Sequence, residues 1–167
     1  HQMQEGDFVQ TYTEKGFRGN DKEWESMCIP FGEDAKICLN GVIDRVDLCS
    51  LPGEELIKII DYKSSDSQDL LLAKVYYGLQ MQLLTYLEAA KEMVEKEHEG
   101  KEAVPAAMLY YVIKEKNLDW KPESEEEYEK RVLDSMKCKG YVNEDPEIIG
   151  LLDKSVVNGG ELIPGQK

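Results

Sequence analysis

The sequence predicts an α/β domain whose mixed sheet begins as an antiparallel meander and continues as helix–strand–helix. Three observations predict it. Between Glu23 and Lys63, three β-rich runs are separated by turn residues. Between Leu70 and Glu99 the apolar positions change to helical spacing. A further apolar run, "AVPAAMLYYVIK", covers Ala103 to Lys114. At 167 residues, 41% of them apolar, the chain has the size and composition of one globular domain with a sizeable core.

The elements follow in order. "EWESMCIPF" (Glu23 to Phe31) alternates weakly and reads as a strand. "AKICLNGVIDRVDLC" (Ala35 to Cys49) is β-rich, with Asn40-Gly41 as a turn or bulge. "SLPGEE" puts Pro52-Gly53 in the middle of a tight turn, and "ELIKIIDYK" follows as a strand ending at Lys63. The helical stripe is Val75, Leu79, Leu83, Tyr86, Ala90 and Met93, with Lys74, Glu88, Glu92 and Glu95 off it. Gly100 marks its C-terminal end. Pro105 is placed at the start of the next strand. Ser124 with Glu127 offers a capping box for a short helix presenting Tyr128, Val132 and Met136 on one face. The tail "VVNGGELIPGQK" is Gly- and Pro-rich and predicts no element, and no repeat is present.

Charge and cysteines narrow the function classes. The net charge of −14 argues against nucleic-acid binding through bulk charge. The acid is clustered in "EMVEKEHEGKE", "ESEEEYE" and "NEDPE", whereas Leu56 to Tyr86 is nearly balanced. No run of about 18 apolar residues predicts a membrane span. The start, "HQMQEGDF", has no apolar signal-peptide core and no initiator Met, so the expectation is a piece of a longer polypeptide. Cys28, Cys38, Cys49 and Cys138 show no C-x-x-C spacing. The expectation for them is structural thiols in a reducing, cytoplasmic setting, rather than a disulfide or metal site.

The chemistry gathers at the predicted hairpin. With Pro52-Gly53 at its centre, Asp44 falls opposite Asp61, their Cβ atoms about 4.5–5.5 Å apart. Two carboxylates so placed repel unless a positive charge lies between them. Mg²⁺ is an economical answer, since it binds hard oxygens through one or two carboxylates and keeps several waters. Lys63, two residues beyond Asp61, projects from the same face, where an ammonium can stabilise charge on a phosphate. Asp47 falls opposite Lys58 as a structural cross-strand pair, and Arg45 points away from Asp44 as a packing or anchoring residue. Asp-x-Lys alone is a weak motif, and the plain alternative has Asp44 paired with Lys63 and Asp61 capping a turn.

In combination, "GVIDRVD", "IIDYKSS" and "VYYGLQMQLLTYLEAA" resemble the successive motifs of RecB-like nucleases of the PD-(D/E)XK superfamily. "VPAAMLYYVIK" and "MKCKGYVNEDPEIIGLLD" resemble the segments that follow in the B subunits of bacterial ATP-dependent helicase/deoxyribonucleases, the AddB/RexB type. The resemblance covers about residues 25 to 165. It implies a restriction-endonuclease-like core over about 23–140, within a single nuclease domain spanning 1–167. It implies Mg²⁺ (or Mn²⁺) held by Asp44, Asp61 and the Tyr62 carbonyl, with Lys63 as the catalytic lysine. Gln82 and Tyr86 match the family's Q-x-x-x-Y motif, which supports the site or contacts DNA; ordinary helix packing is the plain alternative. The implied partners are DNA and the helicase/nuclease A subunit. Neither His1 nor His98 matches the family's upstream metal-ligating His, and the cysteines do not match its iron–sulfur cluster pattern. The resemblance therefore places that helix and the cluster outside this stretch. A degenerate fold serving as a DNA-end or subunit-docking module is the alternative from another class. A stand-alone phage-type exonuclease is disfavoured by the segment after residue 103.

Overall fold

The computed structural model describes residues 6–19, 24–64, 72–78, 80–113, 127 and 138–154. Along them run β1 (Val9–Phe17), β2 (Met27–Phe31), β3 (Ala35–Leu39), β4 (Gly41–Leu51), β5 (Glu54–Lys63), α1 (Leu72–Tyr76), α2 (Gln82–Glu97), β6 (Glu102–Val112), β7 (Lys139–Val142) and α3 (Pro146–Leu152). A five-stranded mixed sheet has the order β1-β4-β5-β6-β7, and β2-β3 form a separate two-stranded sheet.

The turn between β4 and β5 sets the register. Gly53 takes φ +84°, a left-handed conformation that glycine adopts without Cβ strain. The antiparallel ladder runs from Leu51–Glu54 to Arg45–Ile60 and puts Asp47 opposite Lys58, as the sequence predicts. β6 then pairs parallel to β5, with the α1–α2 segment as the crossover that parallel strands require.

Strand alternation sorts the two faces of the sheet. Val46, Ile57 and Ile59 pack with Leu83, Ala90, Met93 and Val94 of α2. Leu56 and Ile60 face the other way, with Phe8, Leu109, Cys138, Ile148 and Leu152. Asp61 and Lys63 therefore share the parity of Ile57 and Ile59 and emerge on the α2 side.

Several expectations are corrected. The meander is divided: β2 and β3 pair with each other and stay mostly exposed, while β4 breaks away after Asn40. Cys28 lies directly opposite Cys38 in that hairpin, Cα–Cα 4.0 Å, and the two form a disulfide rather than free thiols. Cys49 and Cys138 are buried free thiols as expected, and burial pushes the Cys138 thiol up to about 11. The long helix is two helices, because the chain turns at Gly78 with φ +72° and its N–H donates to the Val75 carbonyl. Pro105 does not start β6 but lies inside it, beside the register shift where β5 passes from Ile57 to Lys58. The sequence reading also missed β1, β7 and α3. The helix expected from Ser124, with Tyr128, Val132 and Met136, lies outside the described residues.

Candidate active site

Where the β4–β5 ladder ends, Asp44 and Asp61 occupy the next positions beyond the Arg45–Ile60 pair. Asp44 Oδ2 accepts a hydrogen bond from the Tyr62 main-chain N–H, 2.8 Å. In an antiparallel pair a residue's N–H and C=O point to the same edge, so the Tyr62 carbonyl also points toward β4 and Asp44. On the other edge of β5, the Lys63 carbonyl accepts from the Ile113 N–H. The hairpin thus ends with two carboxylates and one peptide oxygen at the same rim.

Asp61 is buried, 3% exposed. Its Oδ2 lies 2.7 Å from Lys63 Nζ, but no well-directed hydrogen bond reaches that oxygen among the described residues. Burial holds its carboxyl above the usual range, and Asp44 pushes the same way; Lys63 pulls it down without offsetting them. The alternative of an Asp44–Lys63 pair is not what forms.

The helix side completes the arrangement. Lys63 Nζ donates to Gln82 Oε1 at 3.0 Å, and Gln82 Nε2 donates to the Tyr86 hydroxyl at 2.9 Å. Gln82 and Tyr86, one turn apart on α2, therefore act as a chain that fixes the ammonium. Tyr86 is itself braced by an edge contact with Phe17, centroids 5.9 Å apart. Gly41 makes room for it: a Cβ there would come within 2.7 Å of the Phe17 ring and 3.1 Å of Tyr86. On β6, Tyr110 stands level with Asp61, and Lys63 Nζ lies 5.4 Å from its ring centroid. Sequence reasoning missed Phe17, Gly41 and Tyr110 as neighbours of the site, because only the parallel register and β1 bring them there.

On the opposite face, Asp47 receives Arg45 Nε at 2.6 Å and a second guanidinium nitrogen at 2.8 Å, while Lys58 Nζ lies 2.9 Å away. All three are buried. The predicted cross-strand pair is thus part of a triad, with Arg45 anchored as expected on the side away from Asp44.

Two adjacent carboxylates, one of them buried with the Lys63 ammonium beside it, are a donor set that fits a hard dication retaining several waters. No group of three or more His, Cys, Asp or Glu converges as a complete cage among the described residues. His98 sits 3.4 Å from Glu55, at the far end of β5 from Asp61.

Comparison with known proteins gives the family. The model of the PD-(D/E)XK nuclease superfamily matches residues 2–154. The chain is 36% identical over 157 residues to the B subunit of the ATP-dependent helicase/deoxyribonuclease of Clostridium novyi, covering 92% of this chain and 13% of that protein. The protein of the same name from Desulforamulus reducens is 35% identical over 160 residues, covering 95% and 14%. That from Listeria monocytogenes is 39% identical over 146 residues, covering 83% and 12%. The chain thus spans only 12–14% of the length of these relatives. No helix among the described residues is long and apolar enough to cross a membrane.

Proposed function

The chain belongs to the PD-(D/E)XK nuclease superfamily, and we propose that it is the metal-dependent deoxyribonuclease domain of a helicase/deoxyribonuclease B subunit. In this reading it hydrolyses DNA phosphodiester bonds in the cytoplasm, as a helicase feeds broken ends toward recombination. One observation carries it. Lys63, held by Gln82, ion-pairs the buried Asp61 at 2.7 Å, while Asp44 stands as a second carboxylate at the same rim. A purely structural ion pair would not place a second carboxylate beside the first.

Asp44, Asp61 and the Tyr62 carbonyl would hold Mg²⁺ or Mn²⁺, which when bound supplies an acidified water and neutralises phosphate charge. The remaining work falls to the chain. Lys63 presents a fixed positive charge to the phosphate oxygens as their charge grows in the transition state. Gln82 selects the lysine's rotamer, and Tyr86 with Phe17 selects that of Gln82. The partners in this reading are DNA and the helicase/nuclease A subunit. The iron–sulfur cluster belongs to parts of such subunits outside this stretch.

The test is cleavage of labelled DNA in Mg²⁺ by the B subunit assembled with an A subunit whose own nuclease site has been inactivated. Lys63→Ala lowers the cleavage rate about 100-fold or more, the size of effect seen on removing one transition-state donor. Native-like cleavage by Lys63→Ala would contradict the reading. The net charge of −14 favours the second reading, a docking module without chemistry. That reading predicts an assembled native complex whose cleavage does not change when Lys63, Asp61 or Asp44 is replaced.

A further inference from the structure

Lys63 and Gln82, joined by a hydrogen bond at the site, flank in sequence a segment that contains α1. Within it α1 is seated by Val75, which packs against the α2-side core. Its last residue and the next, Tyr76 and Tyr77, turn outward at 85% and 74% exposure, with ring centroids 5.3 Å apart. Met81, between them and Gln82, is also exposed. With Met81 these two rings form an exposed apolar patch of the kind that marks interaction sites, and Tyr77 is within about 17 Å of Gln82 along the chain.

Charge indicates the ligand. In a chain of net charge −14, the 18 residues from Leu70 to Leu87 contain no carboxylate and one cation, Lys74. Neither α1 nor α2 has an acidic residue in its first turn. The aromatic pair thus occupies a stretch without carboxylates to repel a polyanion, and it adjoins in sequence the helix whose Gln82 holds the Lys63 ammonium.

We propose that Tyr76 and Tyr77 form a stacking platform for unpaired bases of a single DNA strand whose backbone runs past Lys63. The proposal rests on the nuclease reading and adds to it the residues that receive the bases, since stacking needs bases freed from their partners. Every base has a π-face, so the platform tolerates any sequence.

The experiment uses oligonucleotides carrying 2-aminopurine, with the full chain in EDTA so that no cleavage occurs. The native protein quenches the fluorophore on a single strand and not in a duplex. Tyr76→Ala/Tyr77→Ala binds the single strand about tenfold more weakly, and Tyr76→Phe/Tyr77→Phe binds like the native chain. On an abasic strand, native and Ala variant bind alike. Absence of quenching by the native chain overturns the platform, as does an Ala variant that binds the normal strand like the native chain. Cleavage is scored separately in Mg²⁺. Quenching that depends on the tyrosines without any cleavage contradicts the nuclease reading and leaves the platform standing. Cleavage without tyrosine-dependent quenching does the reverse.

Discussion

Asp47 and Asp61 lie on adjoining strands of one hairpin, both buried, yet their surroundings are opposite. Asp47 is met by Arg45 through two hydrogen bonds and by Lys58 at 2.9 Å. Asp61 has a single ammonium, that of Lys63, 2.7 Å from its Oδ2, in a contact without good hydrogen-bond direction. Glu55, at the other end of β5, resembles Asp47: the Ser50 hydroxyl donates to it and Lys101 lies 2.9 Å away. Burial pushes the Glu55 carboxyl up, but Ser50, Lys101 and His98 outweigh this and hold it below the usual range, whereas burial leaves Asp61 above it. A carboxylate whose partners are complete stabilises the fold. One left incomplete at an open rim is set to take a ligand.

This contrast is open to mutation. The largest effect falls on Asp47→Ala, which strands Arg45 and Lys58 without their anion and costs about 3–5 kcal/mol in urea denaturation. Glu55→Gln is milder, about 1.5 kcal/mol, since a charge-assisted hydrogen bond is lost while the shape is kept. Its pH dependence follows from the lowered carboxyl. The native advantage is complete above the ordinary glutamate range, near pH 4.3, and shrinks as the pH falls through the lower folded value.

Asp61→Asn goes the other way. Because the folded carboxyl binds its proton more tightly than the unfolded one, native stability falls as pH rises through the window between the two values. The variant escapes that penalty, so it melts slightly above the native chain at pH 7, and the gap closes below about pH 4. A lower melting temperature for Asp61→Asn at pH 7 would put Asp61 with the structural carboxylates.

The site was more legible in the sequence than the fold around it. Pro52-Gly53 fixed the hairpin register, and register alone placed Asp44, Asp61 and Lys63 at one rim and Asp47 against Lys58. Gln82 and Tyr86 were legible from the resemblance and their one-turn spacing. β1 was not, because it is an edge strand exposed over most of its length, buried only at Gly16 and Phe17, and shows no apolar alternation. β7 has four residues, too few for a period to show. α3 did carry a signal, since Asp145 accepts from the Glu147 N–H as its N-cap and Pro146 opens its first turn. The Cys28–Cys38 disulfide depends on the β2–β3 register, which no cysteine-spacing motif encodes. The break at Gly78 was hidden because the apolar stripe runs on through it in the sequence.

Metal binding at the Asp44–Asp61 rim is measured by calorimetric titration of Mg²⁺ and of Mn²⁺ into the native chain and into Asp61→Ala. A binding heat is expected for the native chain that disappears in the variant while the thermal unfolding of both remains cooperative. Equal heats in a folded Asp61→Ala, or none in the native chain, would contradict the assignment of the Asp44–Asp61 rim as the metal site.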